Sequence, residues 1–173
     1  MLRRGAALCL AGWVLGLAGS AAGDGADAEP APAPPVVWVA LGGETFTLEV
    51  AADRESRFRG LSGRDSIGRS AGMLFIYPDD APRGMVMRDC PVPIDVAFLD
   101  ASGRVVSLHA MPVEPPRQPG ESRMAYERRL PIFRSQVPAR FAIELAGGRL
   151  AQLGVTVGDR VALDTGTLSG WAR

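Results

Sequence analysis

Apolar and polar positions alternate with a period of two along much of the chain beyond residue 35. Val36 to Leu41 and Glu44 to Ala51 flank Gly42-Gly43, which predicts a β-hairpin. In its second strand Phe46, Leu48 and Val50 alternate with Thr45, Thr47 and Glu49, giving one buried and one wet face. Asp53 to Leu61 breaks the alternation and predicts a short helix, with Asp53 as N-cap and Ser56 at the third helical position. Met73 to Tyr77 predicts an apolar strand, Pro78 to Pro82 a loop, and Gly84 to Arg88 a further short strand with Met85 and Met87 on one face. Ile94 to Ala110 predicts a second hairpin that turns at Asp100 to Arg104. A regular ladder from that turn sets Asp95 opposite His109 on the more polar face.

The later chain is less regular. Val113 to Pro138 carries Pro115, Pro116, Pro119, Pro131 and Pro138, and predicts a long mobile loop with a helical turn at Arg123 to Arg129. Arg140 to Ala146 predicts a strand with Phe141, Ile143 and Leu145 on one face and Ala142 and Glu144 on the other. A short helix over Gly148 to Leu153 and a last strand over Arg160 to Asp164 follow. The sum is mainly β: a compact barrel or sandwich of about seven to nine short strands with roughly two short helices.

The first 35 residues read differently. Arg3 and Arg4 form a basic start, Ala6 to Leu17 is uncharged and apolar, and Ser20-Ala21-Ala22 offers small residues for cleavage. Residues 1–22 are therefore expected to be a signal peptide and 23–35 an Ala/Pro-rich linker. Residues 36–166 are expected to be a single β-rich domain and 167–173 a frayed tail. The expected location is the periplasm or the exterior, with no membrane insertion after cleavage. Cys90 is then the one cysteine left in the mature chain, because Cys9 lies in the apolar run. The 19 basic residues balance the 19 acidic ones, so no overall field favours nucleic acid. A small ligand or an envelope protein is the expected partner, and a monomer or weak dimer the expected assembly. Every basic residue is arginine, which suits recognition of carboxylates or phosphates, though a GC-rich genome accounts for it too.

Six short motifs occur in order: Arg57-Phe58-Arg59-Gly60-Leu61, Gly72-Met73-Leu74-Phe75, Met87-Arg88-Asp89, Pro93-Ile94-Asp95-Val96-Ala97-Phe98, Glu144-Leu145-Ala146-Gly147 and Gly158-Asp159. Their order and content resemble the domain of unknown function 192 family (uncharacterised protein family 0127). The resemblance spans about Thr45 to Leu163 and implies a small, often exported β domain, without an agreed activity. Ser62 stands where the family pattern has methionine, Val86 where it has tryptophan and Asp89 where it has asparagine. If the aromatic lines a pocket, Val86 leaves that pocket larger. The polar motif positions are Arg57, Arg88, Asp89, Asp95 and Glu144.

Those five residues and His109 are the candidate ligand-binding set, on an arginine- and aspartate-lined face of a non-enzymatic domain. Asp95, flanked by apolar residues, is expected to pair with Arg57 or Arg88, with Glu144 as a second acceptor. No cofactor is expected. The alternative is copper: Met87, His109 and Met111 offer thioether and imidazole ligands suited to Cu(I) in an exported protein. A further alternative is an enzyme in which His109, oriented by Asp95, activates Cys90. No catalytic residue is assigned.

Overall fold

The computed structural model describes residues 35–173; the expected signal peptide and nearly all of the expected linker lie outside the described residues. The first hairpin has the predicted limits: β1 (Val36–Leu41) and β2 (Glu44–Ala51), closed by Gly42 and Gly43 in left-handed conformations. Then follow α1 (Arg54–Arg59), β3 (Ala71–Met85), β4 (Ile94–Leu99), β5 (Val105–Met111), α2 (Arg123–Arg129), β6 (Phe133–Ala146), α3 (Arg149–Gln152) and α4 (Thr165–Ser169). The six strands form one mixed sheet in the order β1-β2-β3-β6-β4-β5, in which only β2 and β3 run parallel. The domain is mainly β and sandwich-like, without the closure of a barrel.

Fewer and longer strands appear than the sequence predicts, and twice as many helices. The segments read as two strands around Pro78–Pro82 are the single strand β3, and β6 reaches back into the predicted loop as far as Phe133. Prolines do not break this ribbon because its ladder skips where they stand. Pairing shifts register between Ile76 and Ala81 and again between Pro82 and Gly84. Pro82 faces Pro138, a rung on which neither residue has an N–H to lose. At the second shift the Arg83 N–H donates to Ser135 Oγ (2.9 Å), and the Ser135 hydroxyl donates to the Val137 carbonyl (2.6 Å). The predicted last strand survives only as a bridge between Arg104 and Arg160. Helix α4, anchored by buried Leu168, takes in residues 167–169 of the tail expected to fray.

Both faces of the sheet are covered. Leu48, Leu74, Ile76, Ala97, Leu99, Phe141, Ile143 and Leu145 pack on one side with Leu150, Val161 and Leu168. Met73, Phe75, Ile94, Val96, Phe98 and Ala142 pack on the other with Leu61, Met85, Met87, Cys90 and Met111. Alternation along β3, β4 and β6 deals successive side chains to these two cores, so every residue of β4 is buried. Gly72 sits where β2, β3 and β6 crowd together; a Cβ there would lie 2.3 Å from the Glu144 carbonyl oxygen.

The second hairpin departs from expectation by one residue. Leu99 faces Val105 as predicted, but a bulge follows, and Phe98 faces Ser107. Every later pair is displaced, so Asp95 faces Ala110 and His109 faces Val96. Asp95 and His109 are thus not cross-strand neighbours. Nor does Asp95 meet an arginine. Its Oδ2 accepts the Leu150 N–H at 2.9 Å, capping a four-residue helix whose N-cap, Gly148, has no side chain to do so. Arg57 instead donates to the carbonyls of Ala52, Ile76 and Arg173. Removing the Asp95 carboxylate leaves a buried helical N–H unpaired. Asp95→Ala is expected to lower stability by about 1–3 kcal/mol in urea denaturation. With Arg57→Ala it should add to within about 0.5 kcal/mol, as the two groups share no partner; strong coupling would restore the predicted pair.

Candidate functional site

Helix α1 positions one wall of the site. The Ser56 N–H donates to Asp53 Oδ1 (2.9 Å), the N-cap that the sequence implied, and the Asp53 N–H donates back to Ser56 Oγ (3.2 Å), which makes the cap reciprocal. The helix stops at Gly60, whose φ of 52° and ψ of −137° suit glycine. A Cβ at Gly60 would lie 3.3 Å from the Phe75 ring and 3.6 Å from Glu144 Oε2, so the glycine also lets α1 sit close over β3 and β6. The next turn is tied to the loop after β3. The Ser62 hydroxyl donates to the Arg88 carbonyl (2.7 Å), and the Gly63 N–H donates to the Asp89 carbonyl (2.8 Å). Cys90 Sγ donates to that same Arg88 carbonyl at 3.3 Å.

Between these pieces lies a cavity of about 300 Å³. Arg57 to Ser62 form one side, Phe75, Tyr77 and Met85 of β3 another, Val86, Arg88 and Cys90 a third, and Glu144 of β6 the floor. Four of the six motif stretches therefore meet in one place. Glu144 stands mid-sheet, between Met73 and Val96 on its neighbouring strands, and is 6% exposed. Its Oε2 has no hydrogen-bond partner among the described residues. Burial without a charge partner pushes its carboxyl up to about 8, so at neutral pH it is mostly protonated.

The surrounding groups are largely engaged with one another. Arg57 is spent on three carbonyls and lies 5.7 Å from the Tyr77 ring centre. Arg88 stacks at 4.0 Å over Phe58 and donates to the Phe58 carbonyl. Its Nε lies 3.2 Å from Glu127 Oε1 but off the line of a hydrogen bond, so that contact is an ion pair. Glu127 belongs to α2, in the segment read as a mobile loop. Tyr126 of the same helix is 1% exposed, and its hydroxyl accepts the Asp89 N–H at 2.8 Å. The sequence hinted at α2 but not at this docking. The Tyr77 hydroxyl is pushed up, first by burial and then by Glu144. The Cys90 thiol is pushed up to about 11 by burial, and next by the Glu144 charge.

Of the six candidate binding residues, the cavity gathers Arg57, Arg88 and Glu144. Asp89 is exposed, with a φ of 51°, a left-handed conformation that aspartate and asparagine tolerate better than other side chains. Asp95 points into the opposite core, because it is level with Leu145 while Glu144 is level with Val96. Asp95 and His109 border a separate cavity of about 230 Å³ beside α3. The His109 ring packs edge-on against Phe98 and Phe133, and its Nε2 lies 2.8 Å from the Arg134 carbonyl. It makes no hydrogen bond with Cys90, the contact an enzyme of that pair requires. Met87 and Met111 are buried in one core cluster. Among the described residues, no three His, Cys, Asp or Glu side chains group as metal ligands.

Fold and site together define a small mainly β domain with an unpaired acid at the base of a motif-lined cavity. The chain belongs to the DUF192 family of uncharacterised proteins, whose model matches residues 37–163. Two solved structures are similar. One is a proposed transcription regulator from Sinorhizobium meliloti, 28% identical, with a TM-score of 0.59 over 73% of this chain and 90% of that one. The other is a protein of unknown function from Novosphingobium aromaticivorans, 24% identical, with a TM-score of 0.63 over 78% of this chain and 90% of that one. No curated protein matches the chain.

Glu144 gives the domain a testable pH dependence. Its folded pKa lies above the 4.5 of a free glutamate, so the native state holds the extra proton. Its contribution to stability is full below about pH 4.5 and is lost as pH rises through about 8. Glu144→Gln is expected to be more stable than wild type at pH 9 by about 4–5 kcal/mol and to differ little at pH 4. Equal urea midpoints for the two proteins at pH 9 would show that the carboxyl is not desolvated.

Proposed function

We propose that this protein is a non-enzymatic binding domain of the cell envelope that receives a small ligand in the Glu144 cavity. The observation that carries this reading is the convergence of Arg57, Gly60, Phe75, Arg88 and Glu144, from four separate motif stretches, around one space. Glu144 Oε2 is buried without a partner, as is Asp95 Oδ1, but Glu144 belongs to the lining of this cavity and has no hydrogen bond of the kind that ties Asp95 to the Leu150 N–H. The cavity's potential nucleophile, Cys90, is held as a thiol and donates to a carbonyl instead of to a base. Tryptophan in the family pattern would fill space that Val86 leaves open. The envelope location is supported by the basic, apolar and small-residue order of residues 1–22.

Two measurements test the reading. Mass spectrometry of the protein purified from its native host should find a chain beginning at Gly23; a cytoplasmic full-length chain would overturn export. Methyl NMR of the domain, labelled at methionine, should show the Met85 methyl moving on addition of cavity ligands from a mixed set of small acids, amines and neutral aromatics. Met85 lines the cavity, whereas Met124 is 62% exposed on α2 and serves as the reference. Val86→Trp should fold normally and lose the response. No compound moving Met85 more than Met124 would sink the cavity reading.

A further inference from the structure

Within that reading, the lining of the cavity also points to a class of ligand. We propose that the cavity takes a small organic anion, with its charged group among Arg54 and Arg59 at the mouth and a neutral acceptor, such as a carbonyl oxygen, on the Glu144 carboxyl.

The sign of the lining argues first. Arg54, Arg57, Arg59 and Arg88 line the cavity, and Glu144 is its single acid. A cation would approach through four guanidinium groups to reach one carboxyl; an anion is drawn in by the same field. The mouth also has donors to spare. Arg57 is occupied by carbonyls, and Arg88 by the Phe58 carbonyl and its ion pair with Glu127. Arg54 is exposed and makes no hydrogen bond or ion pair among the described residues. Arg59 holds only an exposed contact with Glu55, which water screens.

The floor argues second. The Ser62 hydroxyl and Cys90 thiol are committed to the Arg88 carbonyl, while the Tyr77 hydroxyl has only a weak contact with Met85 Sδ at 4.0 Å. Glu144, buried beneath the bare side of Gly60 with no partner at Oε2, is the acid among these groups and, when protonated, a donor at the deep end. Leu61, Phe75, Met85 and Val86 supply apolar walls between floor and mouth. A ligand matched to all three zones has an acceptor, an apolar body and an anionic end.

The charged and titratable groups facing Glu144 are Arg57 from α1, Tyr77 from β3, and Arg88 and Cys90 from the following loop, with Asp89 beyond them. Burial holds Tyr77 and Cys90 protonated well above neutrality. The acceptor binds the protonated carboxyl, so affinity should fall as pH rises through about 8. An amine bound to the ionised carboxyl would not show that loss.

The test uses calorimetry and the Met85 methyl signal on the mature domain with three probes: 4-acetylbenzoate, 4-methylacetophenone and benzylamine. The first should bind about tenfold tighter than the second, which lacks the anion. Arg54→Ala with Arg59→Ala should remove that advantage. Glu144→Gln keeps an N–H donor, so it should retain binding at pH 7 and lose the decline toward pH 9. Benzylamine binding more tightly than 4-acetylbenzoate would overturn the ligand class while leaving the cavity as a binding site. If none of the three moves Met85 but other compounds do, the anion proposal also fails alone. If nothing moves Met85, both readings fail together.

Discussion

The antiparallel pairing of β3 with β6 is the constraint on which the rest of the structure depends. It joins the β1–β2 hairpin to the β4–β5 hairpin, so the two halves of the sheet have no other shared ladder. Its alternation assigns Leu74 and Ile143 to one core and Phe75 and Ala142 to the other. It fixes Glu144 level with Met73 at mid-sheet, where a long polar side chain has little room to reach water. The close approach at Gly72 lets three strands meet there. Once this pair is set, α1 must cross Phe75 and Glu144, and the cavity is what remains between helix and sheet.

Local chemistry made part of this visible in the sequence. Gly42-Gly43 between alternating runs defined β1 and β2 to the residue, and Asp53 with Ser56 defined the start of α1. What failed depended on distant partners. Prolines 78, 82 and 138 read as breaks because their cost is judged one residue at a time, yet across the ribbon Pro82 and Pro138 cancel one another's missing donors. The bulge at Val106, opposite the step from Phe98 to Leu99, carries no glycine to announce it, and it alone separated Asp95 from His109. The partners of Arg57 are backbone carbonyls, which no residue pattern reveals. The motif resemblance identified Arg57, Arg88 and Glu144 as a group, but not which face each would occupy. Tyr126 had no signal beyond its place in a short amphipathic turn.

The acidic floor and the arginine mouth belong to one electrostatic design. Desolvation makes ionisation of Glu144 expensive, and the nearest guanidinium groups do not relieve it because they are directed to carbonyls and to Glu127. The result is a neutral polar group in an apolar hollow, reached through a positive collar. Val86 lines the hollow at the position where the family pattern places a tryptophan, a difference of side-chain volume at the wall of the same space.

The chain has two tyrosines, and the fold sends both to the same place. Tyr77 forms part of the cavity wall, and Tyr126 grips the far side of the loop that bounds it. Its tryptophans at positions 38 and 171 lie elsewhere, near the outer edge of the sheet. Biosynthetic replacement of tyrosine by 3-fluorotyrosine would therefore yield a two-line fluorine spectrum in which one line looks inward at the cavity and the other watches the loop from behind.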